Sequence, residues 1–173
     1  MKRKKGRIIA FLLAGVLLAG ILPGSSVKAQ DKSVISVDEA AAKSNFRRTV
    51  QNALDQAAEQ ASDTQPVTVK IPAGTYTQDA GLCIGSNTTL DLTGVKIVRS
   101  SQINCIRVGT SENKDSGVTG YAYRNIRIVG GTLDGNGREQ TVVKATHCSG
   151  FYMSGTKLHL FTYKPFTPPT SIR

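Results

Sequence analysis

Asp134 is the one acid in "GGTLDGNG", Gly130 to Gly137, where it stands among four glycines. Such a stretch offers three chemistries: a phosphate cradle, a calcium loop, or a tight turn of the chain. A phosphate loop is followed by Lys-Ser/Thr and a helix, and neither follows here. Asp and Asn between glycines bond their own backbone and tolerate unusual dihedrals, so bending the chain is the expected role. His147 and His159 are lone histidines twelve residues apart, which favours structural roles over metal ligation. Asp79, Asp91, Glu112, Asp115, Asp134 and Glu139 include no close pair except within "TSENKDSGVTG". Glycoside hydrolysis generally needs two carboxylates flanking the bond, about 5–9.5 Å apart. No catalytic residue is therefore assigned, and no cofactor or metal site is evident.

Three other groups have ordinary readings. Cys83, Cys105 and Cys148 are odd in number and widely spaced. That excludes a disulfide framework and a C-x-x-C metal site, leaving small buried hydrophobes. "NTT", Asn87 to Thr89, matches a glycosylation acceptor but also fits a turn entering a strand, the preferred reading. Tyr121 and Tyr123 in "GYAYRN" have rings that can stack on a sugar, with aromatic packing against the protein wall as the stronger expectation.

The elements that must position these residues begin after residue 29. "MKRKKGR" leads into an apolar run of 15 residues, Ile8 to Leu22, and then "PGSSVKAQ". This order predicts a secretory signal peptide over 1–29, cut after Ala29, and an exported protein. The run is short for a membrane span of about 20 residues, so no stable membrane association is expected after cleavage. The net charge of +10 includes six basic residues and no acid in 1–29. The remainder carries 16 basic and 12 acidic residues, a surplus of +4. Spread without a basic run, that surplus argues against nucleic acid and is compatible with an anionic polysaccharide.

One stretch reads as a helix. In "SNFRRTVQNALDQAAEQAS", Phe46, Val50, Ala53, Leu54, Ala57 and Ala61 recur at spacings of three and four. They share one face, with Arg47, Arg48, Gln51, Asp55 and Glu59 directed away. Ser44 or Asn45 is the expected N-cap. Ser36 and Glu39 match a capping-box spacing, which places an earlier turn of helix in "SVDEAAAK". After "SDTQP" the period changes to two, with Val67, Val69 and Ile71 inward against Thr68 and Lys70.

Internal repeats settle the architecture to expect. "LDLTGVKI" (90–97), "IRIVGGTL" (126–133) and "FYMSGTKL" (151–158) all read apolar-x-apolar-x-Gly-x-x-apolar. The second and third copies start 25 residues apart, the first and second 36. The excess of 11 equals the length of the polar stretch "TSENKDSGVTG", Thr110 to Gly120, read as an inserted loop. "VKIPAGTY" is a looser earlier copy. Units of 21–25 residues made of short strands and turns predict a solenoid, and the leucine-rich-repeat run is absent. The expected fold is an all-β solenoid, a right-handed parallel β-helix of about three coils with an N-terminal capping α-helix. The domain reading is a lead-in over 30–44, a capping helix over 45–62, coils over 66–160 and an irregular Pro-containing tail over 161–173.

The helix followed by "VTVKIPAGTYT", "SNTTLDLTGVKIV" and "RNIRIVGGTLDGNG" resembles the N-terminal region of the pectin-lyase-like superfamily. It looks closest to the polygalacturonase and pectate-lyase-type enzymes, over roughly Phe46 to Leu160. The resemblance implies a right-handed parallel β-helix, an extracellular location and action on pectin-type or other acidic polysaccharides. It supplies no catalytic centre. The Asn-Thr-Asp triplet, paired Asp-Asp, Gly-His-Gly and Arg-x-Lys of polygalacturonase-like members do not occur in this sequence. Calcium enters only by analogy with the family. The tail "FTYKPFTPPTSIR" has three prolines and no fourth copy of the template, so truncation after about three coils is the expectation. Two functions remain open: the N-terminal part of a secreted polysaccharide-active enzyme, inactive as this piece, or a non-catalytic β-helical carbohydrate-binding or surface module.

Register gives sharper expectations. Leu90, Ile126 and Phe151 should form one interior column, with Leu92, Ile128 and Met153 in another. Counted from each copy's first apolar residue, Asp134 and His159 both fall at the ninth position. They should lie on adjacent coils facing outward, with Val98 a coil further back. This polar surface is the one candidate site.

Overall fold

The computed structural model describes residues 33–109, 118–137 and 141–159. The expected signal peptide (1–29), most of the inserted loop (110–117) and the Pro-containing tail (161–173) lie outside the described residues. The described chain is mostly parallel β-sheet with few helices.

Strand β1 (Val34–Ser36) comes first, followed by helices α1 (Glu39–Ser44) and α2 (Phe46–Gln60). The early helical turn is present, but Ser36 does not cap it. Ser36 is committed to a strand, paired with Lys70, and Glu39 is the first helical residue, where a capping-box Glu belongs at the third. Asp38 caps instead, its Oδ1 accepting from Ala41 N–H at 2.8 Å. Asn45 serves both helices: its N–H bonds Ala41 O, and its Oδ1 accepts from Arg48 N–H at 3.1 Å.

On α2, Phe46, Val50, Ala53, Leu54 and Ala57 are buried, and the helix packs on strands β2 (Val67–Lys70), β3 (Gly74–Gln78) and β4 (Leu82–Ile84). Ala61 is the C-cap rather than part of the face. Gln51 departs from the expected pattern, being 3% exposed. Its Oε1 accepts from Cys83 N–H at 2.8 Å, and its Nε2 donates to Cys83 O at 3.1 Å and Asp55 Oδ1 at 2.9 Å. β4 is an edge strand, and a covered edge needs partners for its backbone. An amide can supply both, which periodicity of apolar residues does not register.

The later strands are β5 (Thr88–Asp91), β6 (Val95–Arg99), β7 (Ile106–Val108), β8 (Tyr123–Val129), β9 (Thr132–Asp134), β10 (Val143–Lys144), β11 (Cys148–Ser154) and β12 (Lys157–His159). The first sheet runs β1-β2-β5-β8-β11, the second β3-β6-β9-β12, the third β4-β7-β10. Every ladder is parallel. From β2 onward every third strand returns to the same sheet, so the chain visits the sheets in turn. Alternation then sends one side of each strand inward. Val67, Val69, Leu82, Ile84, Leu90, Ile97, Ile106, Ile126, Ile128 and Leu133 are all buried.

The expected columns are half right. Phe151 pairs with Ile126 and Met153 with Ile128, and in the second sheet Ile97, Leu133 and Leu158 align as the template requires. Leu90, however, sits opposite Ile128, two residues beyond Ile126. The column is Val69–Leu90–Ile128–Met153. The cause lies in the corner between the first two sheets. Residues 92–95 cross it in the first copy, against 130–131 in the second. Asp91 Oδ1 accepts from Thr93 N–H at 2.9 Å and Val95 N–H bonds Leu92 O at 2.9 Å, giving a wider turn with Leu92 fully buried inside it.

The narrow corner must then stack on the wide one, and this explains the double glycine. Gly131 has φ +75°, and a Cβ there would lie 2.5 Å from Leu92 Cβ and 2.6 Å from Leu92 O. No side chain fits.

Candidate functional site

In the second sheet, Tyr76, Ile97 and Leu133 point inward, so their neighbours point out. Two outer rows follow from the register: Thr75–Lys96–Thr132–Lys157 and Thr77–Val98–Asp134–His159. Successive residues in a row are one strand apart, about 4.8 Å. The first row borders a shallow groove of about 440 Å³ whose lining includes Thr75, Lys96, Thr132 and Lys157.

Asp134 and His159 are thus direct neighbours across a ladder, with Val98 on the far side. The imidazole is 73% exposed, and its Nδ1 is 3.9 Å from Asp134 Oδ2. A closer partner stands on the diagonal: Lys96 Nζ lies 2.9 Å from the same oxygen. Asp134 Oδ1 accepts from Asn136 N–H at 2.9 Å, the Asx turn expected of this residue. Lys96 first, then the Asn136 N–H, hold the Asp134 carboxyl below the ordinary carboxylate range. Lys96 was not singled out by sequence, although extending the register count to diagonal neighbours would have reached it.

The remainder of "LDGNG" is fixed from inside. Arg99 is fully buried. Its Nε and Nη2 donate to Gly135 O at 3.2 and 3.1 Å, and its Nη1 donates to Ile103 O at 2.6 Å. Asn136 Nδ2 donates back to Arg99 O at 3.1 Å. The turn is anchored to the interior by a guanidinium, and Asp134 is presented outward by it. Alternation through Val95 and Ile97 already put position 99 inside. Its charge is what concealed it.

Because the folded-state pKa of Asp134 is lowered, its contribution to stability is present above its ordinary value of 3.8 and is lost as pH falls through the lower folded value. Asp134→Asn keeps an acceptor for Asn136 and loses the ion pair with half-exposed Lys96. The variant should be less stable at pH 6 by about 0.5–1 kcal/mol. Urea midpoints should converge with wild type below pH 3; equal midpoints at pH 6 would remove the ion pair from the account.

The other residues resolve as follows. His147 has φ +52° and places Nδ1 3.0 Å from Gly120 O, a structural role. Asn87, φ +56° and 5% exposed, turns the chain into β5. Its Nδ2 donates to Asp63 Oδ1, and its Oδ1 accepts from Asn125 Nδ2, each at 3.0 Å. Tyr123 is buried, whereas Tyr121 is exposed. Tyr152, also exposed, lies under the Arg127 guanidinium, 5.6 Å from ring centroid to Cζ. All three cysteines are free thiols. Burial pushes Cys105 up to about 11, while Cys83 and Cys148 are only half-buried, short of the full burial expected.

Among the described residues no three His, Cys, Asp or Glu side chains are grouped to hold a metal, and no helix is long and apolar enough to cross a membrane. Fold and face together define a protein of stacked parallel strands with a mixed-charge, hydroxyl-bearing outer sheet. No protein-family model, curated protein or solved structure matches the chain.

Proposed function

We propose that this chain is a secreted right-handed parallel β-helix that binds acidic, pectin-type polysaccharide, with the glycan lying on the outer face of the second sheet. The observation that carries the reading is the row Thr75–Lys96–Thr132–Lys157 beside Asp134 and His159. Hydroxyls and cations recur there one strand at a time. An extended uronate polymer crossing the strands meets a donor at each step, and ammonium groups attract its carboxylates. The return of every third strand to one sheet supports the β-helix, and the basic, apolar and small-residue order of 1–29 supports export.

Of the two functional readings, binding without cleavage is favoured on this face. Glycoside hydrolysis pairs an ionised carboxylate with a protonated one, and Asp134, held ionised by Lys96, has no second acid beside it in the two rows. The experiment is affinity electrophoresis of the purified chain in gels containing polygalacturonate or neutral dextran. Retardation by polygalacturonate alone is expected, relieved by salt and weakened several-fold in Lys96→Gln/Lys157→Gln. Equal mobility in both gels would sink the proposal. Release of reducing ends or unsaturated products, with or without calcium and abolished by Asp134→Ala, would overturn the non-catalytic reading.

A further inference from the structure

The outer face of the second sheet carries a carboxylate of its own where an acidic glycan brings another. Lys96 belongs to the row that borders the groove, with Asp134 in the neighbouring row. Its ammonium does not keep to that row: Nζ reaches diagonally to Asp134 Oδ2 at 2.9 Å. We propose that Asp134 is a built-in competitor of the glycan, holding the Lys96 ammonium that a uronate needs, and that His159 releases it on gaining a proton. The choice of a uronate rests on the polysaccharide reading above; the contact between the side chains does not.

The carboxylate is the fixed partner. Its Oδ1 accepts from Asn136 N–H at 2.9 Å, Arg99 anchors the turn through Gly135 O, and the side chain is only 18% exposed. Lys96 is 43% exposed and carries its donors on a flexible four-carbon stem. An ammonium that leaves Asp134 therefore swings back over the groove, and Asp134 does not follow. A uronate offers Lys96 the same chemical group as Asp134, so glycan binding at this step must displace an existing ion pair.

His159 is seated to decide that contest. Its carbonyl accepts from Gly135 N–H at 2.6 Å, which sets it beside the turn, and its Nδ1 lies 3.9 Å from the oxygen that Lys96 holds. Histidine is the side chain that changes charge between pH 5 and 8. Asp134 stays ionised over that range, because Lys96 and the Asn136 N–H keep its carboxyl below the ordinary value. Falling pH therefore brings a second cation to Oδ2 and weakens the hold on Lys96. The other charged groups on β6, β9 and β12 are Arg99, which is buried, and Lys157, which stands in the groove row. Both are cationic, so Asp134 is the one carboxylate of these three strands with which His159 can pair.

Two measurements at low salt test the proposal, the first without glycan. Trace acetylation of the purified chain, read by peptide mass spectrometry, reports how firmly each lysine is held, with Lys70 of β2 as reference. Labelling of Lys96 relative to Lys70 should rise about two- to fivefold in Asp134→Asn, as loss of an exposed ion pair requires. In wild type it should also rise from pH 8 to pH 6, and in His159→Gln it should not. The second measurement is affinity electrophoresis in polygalacturonate gels at both pH values. Wild type should bind about two- to fivefold more tightly at pH 6, and Asp134→Asn should bind more tightly than wild type at pH 8. That gain should vanish in a Lys96→Gln background, which separates release of Lys96 from a general loss of negative charge. Melting curves of the variants check folding. The proposal is overturned if Lys96 labels equally in wild type and Asp134→Asn, or if its rise at pH 6 survives in His159→Gln. It is also overturned if Asp134→Asn tightens binding equally with and without Lys96. Labelling that changes as expected in a chain no gel retards keeps the contest for Lys96 and overturns the glycan reading alone; retardation with unchanged labelling does the reverse.

Discussion

Val50→Asp is expected to lower the unfolding free energy by about 4 kcal/mol or more. Val50 is fully buried near the middle of the α2 face that packs on β2, β3 and β4. Losing the valine burial removes about 1.5–3 kcal/mol. Placing a carboxylate against apolar side chains adds a further penalty of about the same size or greater. Arg48→Asp, on the exposed side of the same helix, should stay within about 0.5 kcal/mol of wild type. Urea unfolding followed by far-UV circular dichroism compares the two. Equal midpoints for wild type and Val50→Asp would show that α2 does not close this end of the strand stack.

Gly131→Ala is expected to cost roughly 3 kcal/mol. A left-handed dihedral costs about 1–2 kcal/mol for a residue with a Cβ, and overpacking against Leu92 adds about 1–3 kcal/mol. Gly120→Ala separates the two contributions. Gly120 has φ +65°, but a Cβ there meets nothing within 4 Å, so only the dihedral penalty applies. A difference of roughly 2 kcal/mol between the variants would report the stacking of the narrow corner on Leu92. If the two variants lose the same stability, the corner packing is wrong.

These two sites also mark what the sequence discloses. Helix α2 and the inward residues of β2 follow from periodicity, because burial on one side leaves an apolar stripe at the period of the element. The row Val98–Asp134–His159 follows from counting, because the last apolar residues of all three copies, Ile97, Leu133 and Leu158, stand in register in the second sheet. The slip of Leu90 against Ile126 is invisible to the template for the same reason. A corner can gain two residues when an Asx turn at Asp91 takes them up, and no apolar position records it.

Polar residues inside the protein were the other gap. Gln51 and Arg99 occupy positions that alternation or helix geometry can place near the interior, yet their side chains argue for solvent. Each is inside because backbone groups there lack strand partners: Cys83 for Gln51, Gly135 and Ile103 for Arg99. Satisfying main-chain groups is a three-dimensional requirement. β1 escaped for a simpler reason, as three residues are too few to establish a period.

The central claim is that an acidic glycan lies across the strands of the second sheet. Amide hydrogen exchange of the purified chain, with and without polygalacturonate, tests it most directly. Protection should rise in peptides covering β6, β9 and β12, with residues 95–98, 132–134 and 157–159 showing the largest change. Peptides of the third sheet, β4 and β7, should exchange at the same rate in both conditions. Protection confined to the third sheet, or none anywhere at polymer concentrations that retard the chain in gels, would contradict the account.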